Sequence, residues 1–262
     1  MKSTRLLAVT NFLVIIATIF VNYYVNSRPI NGNTIKTLSD TYANLFTPAS
    51  YAFSIWGLIF LMLVAHGIYQ LICAFSARKD EFINQIGGWL MLANIGNASW
   101  TYIWLLEQTG LSVIVMLVIL ISLIMIILRT NMERWDAPVP LIAFVWWPIC
   151  LYSGWIAVAT IANIAGYLAK LEWSPLFSET TWTIIMMAVV VVLNLLMIAT
   201  RNMREFAMVG VWALVAIAVR HWDQIAAIQY TAVVGAAILF IAASAHAYKN
   251  RATSPINKIF NS

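Results

Sequence analysis

The chain has 262 residues, of which 62% are hydrophobic and only 10% charged, with a mean hydropathy of +0.84. No water-soluble globular domain of this length is so apolar, so the composition leaves an integral membrane protein. The net charge of +5 and pI near 9.3 would suit a nucleic-acid partner. Here, however, the basic residues flank apolar runs, and the bilayer accounts for them without nucleic acid.

Eight apolar runs follow in chain order, at about 6–25, 51–75, 86–106, 111–128, 140–168, 181–199, 206–222 and 224–247. Most reach the roughly 20 residues needed to cross a hydrocarbon core of about 30 Å; the seventh is the shortest. The first run follows Lys2 and Arg5 and continues to about Val25 without a small-residue cleavage site, so it is expected as a retained helix. Asn26 to Ser50 is the longest loop, polar and containing Pro29 and Gly32. A loop of that length is expected to act as a lid or binding loop. Thr47-Pro48 is expected to open the second helix, with proline near the first turn. Glu107-Gln108-Thr109-Gly110 predicts a tight turn that makes the third and fourth helices antiparallel neighbours. Residues 129–139 form the main loop of the other side. After Trp173-Ser174-Pro175 the runs become richer in Ala, Val and Ile and poorer in tryptophan, which sets a soft boundary near 175. Ser254 to Ser262 is expected to fray.

Charge orients the runs. With a cytoplasmic N-terminus, the inner segments carry Lys2, Arg5, Arg78, Lys79, Arg129, Arg134, Arg201, Arg204, Lys249, Arg251 and Lys258. The outer loops carry Arg28, Lys36, Lys170 and Arg220, a split of 11 against 4. That fits the positive-inside rule and puts both termini in the cytoplasm of a multi-pass protein, with a bacterial cell membrane as the expected location.

The runs hold little reactive chemistry. No Asp, Glu, Lys or Arg lies well inside one, Arg220 sitting at the outer end of the seventh, and this argues against ion-coupled transport. Cys73 and Cys150 fall within runs and are read as packing residues. There is no metal-ligand spacing, nucleophile motif or phosphate-cradling glycine loop, so no catalytic residue and no metal ligand is named. Polar and aromatic stripes are present instead. Trp56, Phe60, Leu63 and Gly67 share one face of the second helix. Asn94, Asn97, Thr101 and Trp104 share a face of the third, beside Trp100. Tyr152, Trp155, Ala159 and Asn163 share a face of the fifth, with Thr160 adjacent. Converging, these stripes would line a cavity for a flat, mostly apolar ligand that stacks on indoles and is oriented by amides. The asparagines have a second reading as bonds between helices.

His66 lies mid-run, able to ligate haem iron, to shuttle a proton, or to hydrogen-bond a neighbouring carbonyl or amide near Gln70 one turn on. His221 is expected in an outer loop with Asp223, and His246 near the end of the eighth helix. Trp135, Trp173, Trp182 and Trp222 fall at run ends and read as an interfacial belt. Gly87, Gly88, Gly96, Gly154 and Gly166 read as close-packing positions.

Three motifs carry a family resemblance. They are Pro48-Ala-Ser-Tyr-Ala-Phe53-Ser-Ile-Trp56, Asn97-Ala-Ser-Trp100-Thr101, and the spacing of Tyr152, Trp155, Ala159, Thr160 and Asn163. In these the chain resembles the TspO/translocator-protein family, the tryptophan-rich sensory proteins, over about residues 6–170. Leu151 stands where that family has proline, and Ile164 and Leu168 stand where many members have a tyrosine and a basic residue. The resemblance implies a five-helix core over 1–172, with an appended three-helix segment and tail over 173–262. It also implies a porphyrin-like ligand.

The reading is therefore an all-α integral membrane helical bundle of about eight transmembrane helices. Its expected role is binding or sensing a planar hydrophobic ligand, of tetrapyrrole type, at Trp56, Phe60, His66, Asn97, Trp100, Trp104, Tyr152, Trp155, Ala159 and Asn163. No cofactor is required, a haem-like ligand is compatible, and so is a homodimer. Two alternatives stand beside it: a porphyrin- or pigment-modifying membrane enzyme, and a non-catalytic membrane subunit of a larger assembly.

Overall fold

The structure is a computed structural model that describes residues 2–30, 32–42, 44–76, 81–173 and 176–251. Arg78, Lys79, Lys258, the Ser174-Pro175 step and the tail expected to fray lie outside the described residues. Among those described there is no strand, only an isolated bridge between Ile30 and Asn33.

The helices are α1 (Lys2–Ser27), α2 (Ile35–Thr41), α3 (Ile55–Phe75), α4 (Glu81–Ile86), α5 (Trp89–Leu105) and α6 (Thr109–Arg129). They continue with α7 (Val139–Leu141), α8 (Trp147–Lys170), α9 (Glu179–Arg201), α10 (Arg204–Arg220) and α11 (Ala226–Lys249). A 3₁₀ turn, Ser50–Ser54, leads into α3, and a π-helical stretch, Ile142–Trp146, joins α7 to α8. Each of the eight apolar runs therefore becomes a helical segment. Six segments are long and apolar enough to cross a bilayer: 3–27, 50–75, 109–129, 139–170, 179–201 and 226–249. α5 and α10, at 17 residues each, are shorter. Large apolar side chains such as Phe20, Leu61, Ile114 and Ile241 stand exposed along these helices. Lipid is the environment that tolerates them, because every backbone group of a helix is satisfied internally.

Local chemistry explains two departures from the sequence reading. Pro48 does not open α3: the chain first makes the 3₁₀ turn, and the helix begins at Ile55. The π-helical stretch has its cause in Pro148, which lacks an N–H and crowds the carbonyl four residues back; one wide turn relieves both defects.

The chain forms two compact units, Met1–Tyr42 with Trp56–Met132, and Ala43–Ile55 with Glu133–Ser262. In the first unit, α5 and α6 pack as the antiparallel pair the short turn predicts, with Glu107 in that turn at φ +58°. A Cβ on Gly96 would lie 2.7 Å from Ile119 Cγ1, so α6 needs the missing side chain. Gly67 does the same for Phe12 of α1, also at 2.7 Å. Gly87 and Gly88 serve differently from expectation. Gly87 turns the chain at φ +56° between α4 and α5, and Gly88 caps α5, where a Cβ would meet only Met91 Cε at an ordinary 3.6 Å.

In the second unit α10 is the central helix, packed by α8, α9 and α11. Its neighbours come close where side chains are absent. A Cβ on Gly154 would lie 3.0 Å from the Phe206 carbonyl, and one on Gly210 would lie 2.8 Å from the Asn194 amide. The segment before α3 belongs here: the Ala49 N–H donates to the Ala216 carbonyl at 3.0 Å, and Trp212 Nε1 donates to the Ala52 carbonyl at 3.0 Å. His221 lies in the turn after α10 together with Asp223, as expected, yet it is not exposed. It caps α10, is buried, and its Nε2 lies 2.9 Å from the Leu45 carbonyl.

Candidate functional site

The candidate residues divide between the units: Trp56, Phe60, His66, Asn97, Trp100 and Trp104 belong to the first, and Tyr152, Trp155, Ala159 and Asn163 to the second.

In the first unit, helical spacing sets two stacked aromatic pairs. Trp56 and Phe60, one turn apart on α3, stack at 5.2 Å and are half-buried. Trp100 and Trp104 on α5 stack at 5.8 Å with 14° between their planes, and both are buried. The Trp104 Nε1 hydrogen is buried with no acceptor, and an unmet indole donor is costly in a dry interior. Tyr42, from the loop before α3, meets Trp104 edge-on at 6.3 Å. That loop is tied down by Glu107, which accepts from the Tyr42 hydroxyl at 2.6 Å and from Asn33 Nδ2 at 3.0 Å. The Glu107 hydrogen bond, with burial and the nearby negative charge, raises the Tyr42 phenol to about 12.

Asn97 takes part in a bond between helices. Asn22 Nδ2 of α1 donates to Asn97 Oδ1 at 2.8 Å, and Thr101 Oγ1 donates to Asn22 Oδ1 at 2.9 Å. Further along α1, Thr18 donates to the Asn94 carbonyl and Asn11 to Gln70 Oε1. Gln70 Nε2 in turn lies 2.6 Å from His66 Nε2. With the amide donating, that nitrogen accepts and the ring proton sits on Nδ1. The pairing of His66 with Gln70 is thus present, and it extends through Asn11 to α1. On α1, Thr4, Asn11 and Thr18 recur every seven positions, a spacing that signals these contacts.

In the second unit, Tyr152, Trp155 and Asn163 are buried on α8 and Ala159 is half-buried. Trp155 meets Phe53 edge-on at 6.0 Å, so the 3₁₀ turn supplies an aromatic neighbour to the α8 stripe.

A polar site lies beside the first turn of α8. An open recess of about 240 Å³ is lined by Glu133, Trp135, Trp146, Arg204 and His246, among others. One ligand atom each of Glu133, Cys150 and Glu205 lies within 4.8 Å of the other two. Glu133 is 8% exposed, its Oε1 has no hydrogen-bond partner, and Glu205 Oε2 and Arg204 Nε are likewise buried and unpartnered. Burial, then the charge of Glu205, pushes the Glu133 carboxyl up to about 8, while Arg204 pulls it down. Glu133 also holds φ at +59°, uncommon for glutamate, with its carbonyl accepting the Asn202 amide at 2.6 Å. Sequence spacing could not show this cluster, because its members come from a loop, the first turns of α8 and the start of α10.

Neither a comparison with curated proteins nor one with solved structures gives a match. The TSPO-like protein family matches residues 8–245, which includes the last three long helices as well as the first five. With its long apolar helices, this is a multi-pass membrane protein, and the chain belongs to the TSPO-like protein family.

Proposed function

We propose that the protein binds a planar hydrophobic ligand of tetrapyrrole type, and that binding serves a sensory or carrier role in the membrane. The observation that carries this reading is the stacked Trp100–Trp104 pair with its unsatisfied Trp104 Nε1 hydrogen. An indole donor without an acceptor beside a broad π-face suits a large ring that bears carboxylate or carbonyl groups. Tyr152 and Trp155 supply a second buried aromatic stripe at the positions that carry the family resemblance. The Tyr42–Glu107 bond gives the 26–50 loop a fixed point from which to act as a lid.

The test is a titration of the purified protein with protoporphyrin IX, followed by tryptophan-fluorescence quenching. Wild type is compared with Trp104→Phe, which keeps a ring and removes the donor, and with Trp155→Phe. Saturable quenching weakened by about tenfold in Trp104→Phe, the value of a hydrogen bond near 1.4 kcal/mol, is the expected result. Equal, unsaturable quenching in all three proteins would show partitioning into detergent and would end the tetrapyrrole reading. Following the porphyrin absorbance under light separates binding from breakdown.

A further inference from the structure

We propose that Glu133, Cys150 and Glu205 form a binding site for one divalent transition-metal ion of zinc-like chemistry, reached from the recess beside α7. The proposal is independent of the tetrapyrrole reading and concerns residues of the second unit alone.

The geometry comes first. Gly154 lets α8 approach the backbone of Phe206, and this brings Cys150, one turn before Gly154, to the start of α10 where Glu205 sits. The Asn202 amide holds the Glu133 backbone at the same place. Three ligand atoms within 4.8 Å of one another result. A tetrahedral zinc ion, with bonds of about 2.0–2.3 Å, needs them roughly 3.3–3.7 Å apart, an adjustment that side-chain torsions supply.

The second observation is the state of Glu133. It is more than nine-tenths buried, lines the recess, belongs to the ligand cluster, and presents an oxygen with no donor. Glu205 Oε2 repeats the pattern beside it. Buried carboxylate oxygens without donors are costly, and a cation satisfies both at once.

Chemistry selects the ion. A thiolate with two carboxylates suits zinc and its neighbours, whereas magnesium and calcium take oxygen ligands. Charge agrees: two carboxylates and a thiolate carry three negative charges, and a divalent ion with the Arg204 guanidinium brings the sum to zero. His246, Arg134 and Asp136 also face the recess, and solvent there can supply a fourth ligand. Three protein ligands with one open position is the arrangement of an exchangeable zinc site.

The test uses the purified full chain in detergent, stripped with a chelator, reloaded with zinc or cobalt(II) and desalted. The expected result is one equivalent of metal per chain and a thiolate-to-cobalt charge-transfer absorption. Cys150→Ser should abolish that band, Glu133→Gln and Glu205→Gln should each lose the retained equivalent, and Cys73→Ser should keep both. Helical circular dichroism checks that each variant is folded. Should a variant not fold, the wild-type stoichiometry and cobalt spectrum decide alone. A wild type that retains no metal, a cobalt spectrum without the thiolate band, or folded variants that keep the equivalent would each overturn the proposal.

Discussion

In the first unit, α1 carries Thr4, Asn11, Thr18 and Asn22 along one edge, and each meets a partner on α4, α3 or α5. In the second unit, the close approaches onto α10 are set by Gly154 and Gly210, where side chains are missing. The two devices do different work in a lipid environment. Polar pairs between helices fix register, because a one-turn slip would leave amides unmatched in a dry interior. Glycine contacts fix distance, because they let backbones touch. In this unit Glu133, Glu205 and Arg204 each keep a buried atom without a hydrogen-bond partner.

The largest expected effect falls on the glycine device. Gly154→Leu drives a side chain into the Phe206 backbone and should cost about 3 kcal/mol, the upper end for overpacking. Thermal unfolding in detergent reads it, and unchanged stability would show that α8 and α10 can separate freely. Next comes the polar device. Asn22→Leu removes the donor to Asn97 and one of the two acceptors of Thr101 and should cost about 2 kcal/mol. A double-mutant cycle with Asn97→Leu should give a coupling of roughly 0.6–1.7 kcal/mol, and zero coupling would reduce the bond to incidental contact. Gly96→Ala should cost less, about 1 kcal/mol, since Ile119 is a side chain and can yield where the backbone at Phe206 cannot.

The smallest effect is electrostatic. The Tyr42 phenol is raised to about 12, so its bond to Glu107 contributes stability fully present below pH 10 and lost as pH rises through about 12. In an ultraviolet titration, Glu107→Gln should return one tyrosine toward 10. If no tyrosine moves, the loop is not tied at that point.

Much of the fold was legible because a bilayer imposes long apolar runs, and each of the eight became a helical segment. The short connection between α5 and α6 and the role of Gly96 were equally readable from local chemistry, although the turn is 106–108 and Thr109-Gly110 already open α6. The π-helical stretch was not, since Pro148 signals a disturbed helix without saying how the backbone relieves it. The burial of His221 was not readable, because its partner, the Leu45 carbonyl, lies far away in sequence. For the candidate site, stripe periodicity picked out buried residues of α5, whereas α8 is buried all round from Tyr152 to Val158 and no stripe distinguishes a face there. Periodicity could not tell that Asn97 is engaged by Asn22, because α1 showed only a sparse polar pattern. The Glu133–Cys150–Glu205 cluster was invisible for the same reason: three distant segments supply one residue each.

The central proposal is that the buried Trp100–Trp104 pair of the first unit holds a flat ligand in one orientation. Visible-region circular dichroism of protoporphyrin IX added to the purified protein tests it most directly, because an achiral ring acquires a signal only in a fixed chiral setting. The account predicts an induced band that saturates near one porphyrin per chain and weakens in Trp104→Phe. A porphyrin that remains optically silent at saturating protein would contradict it.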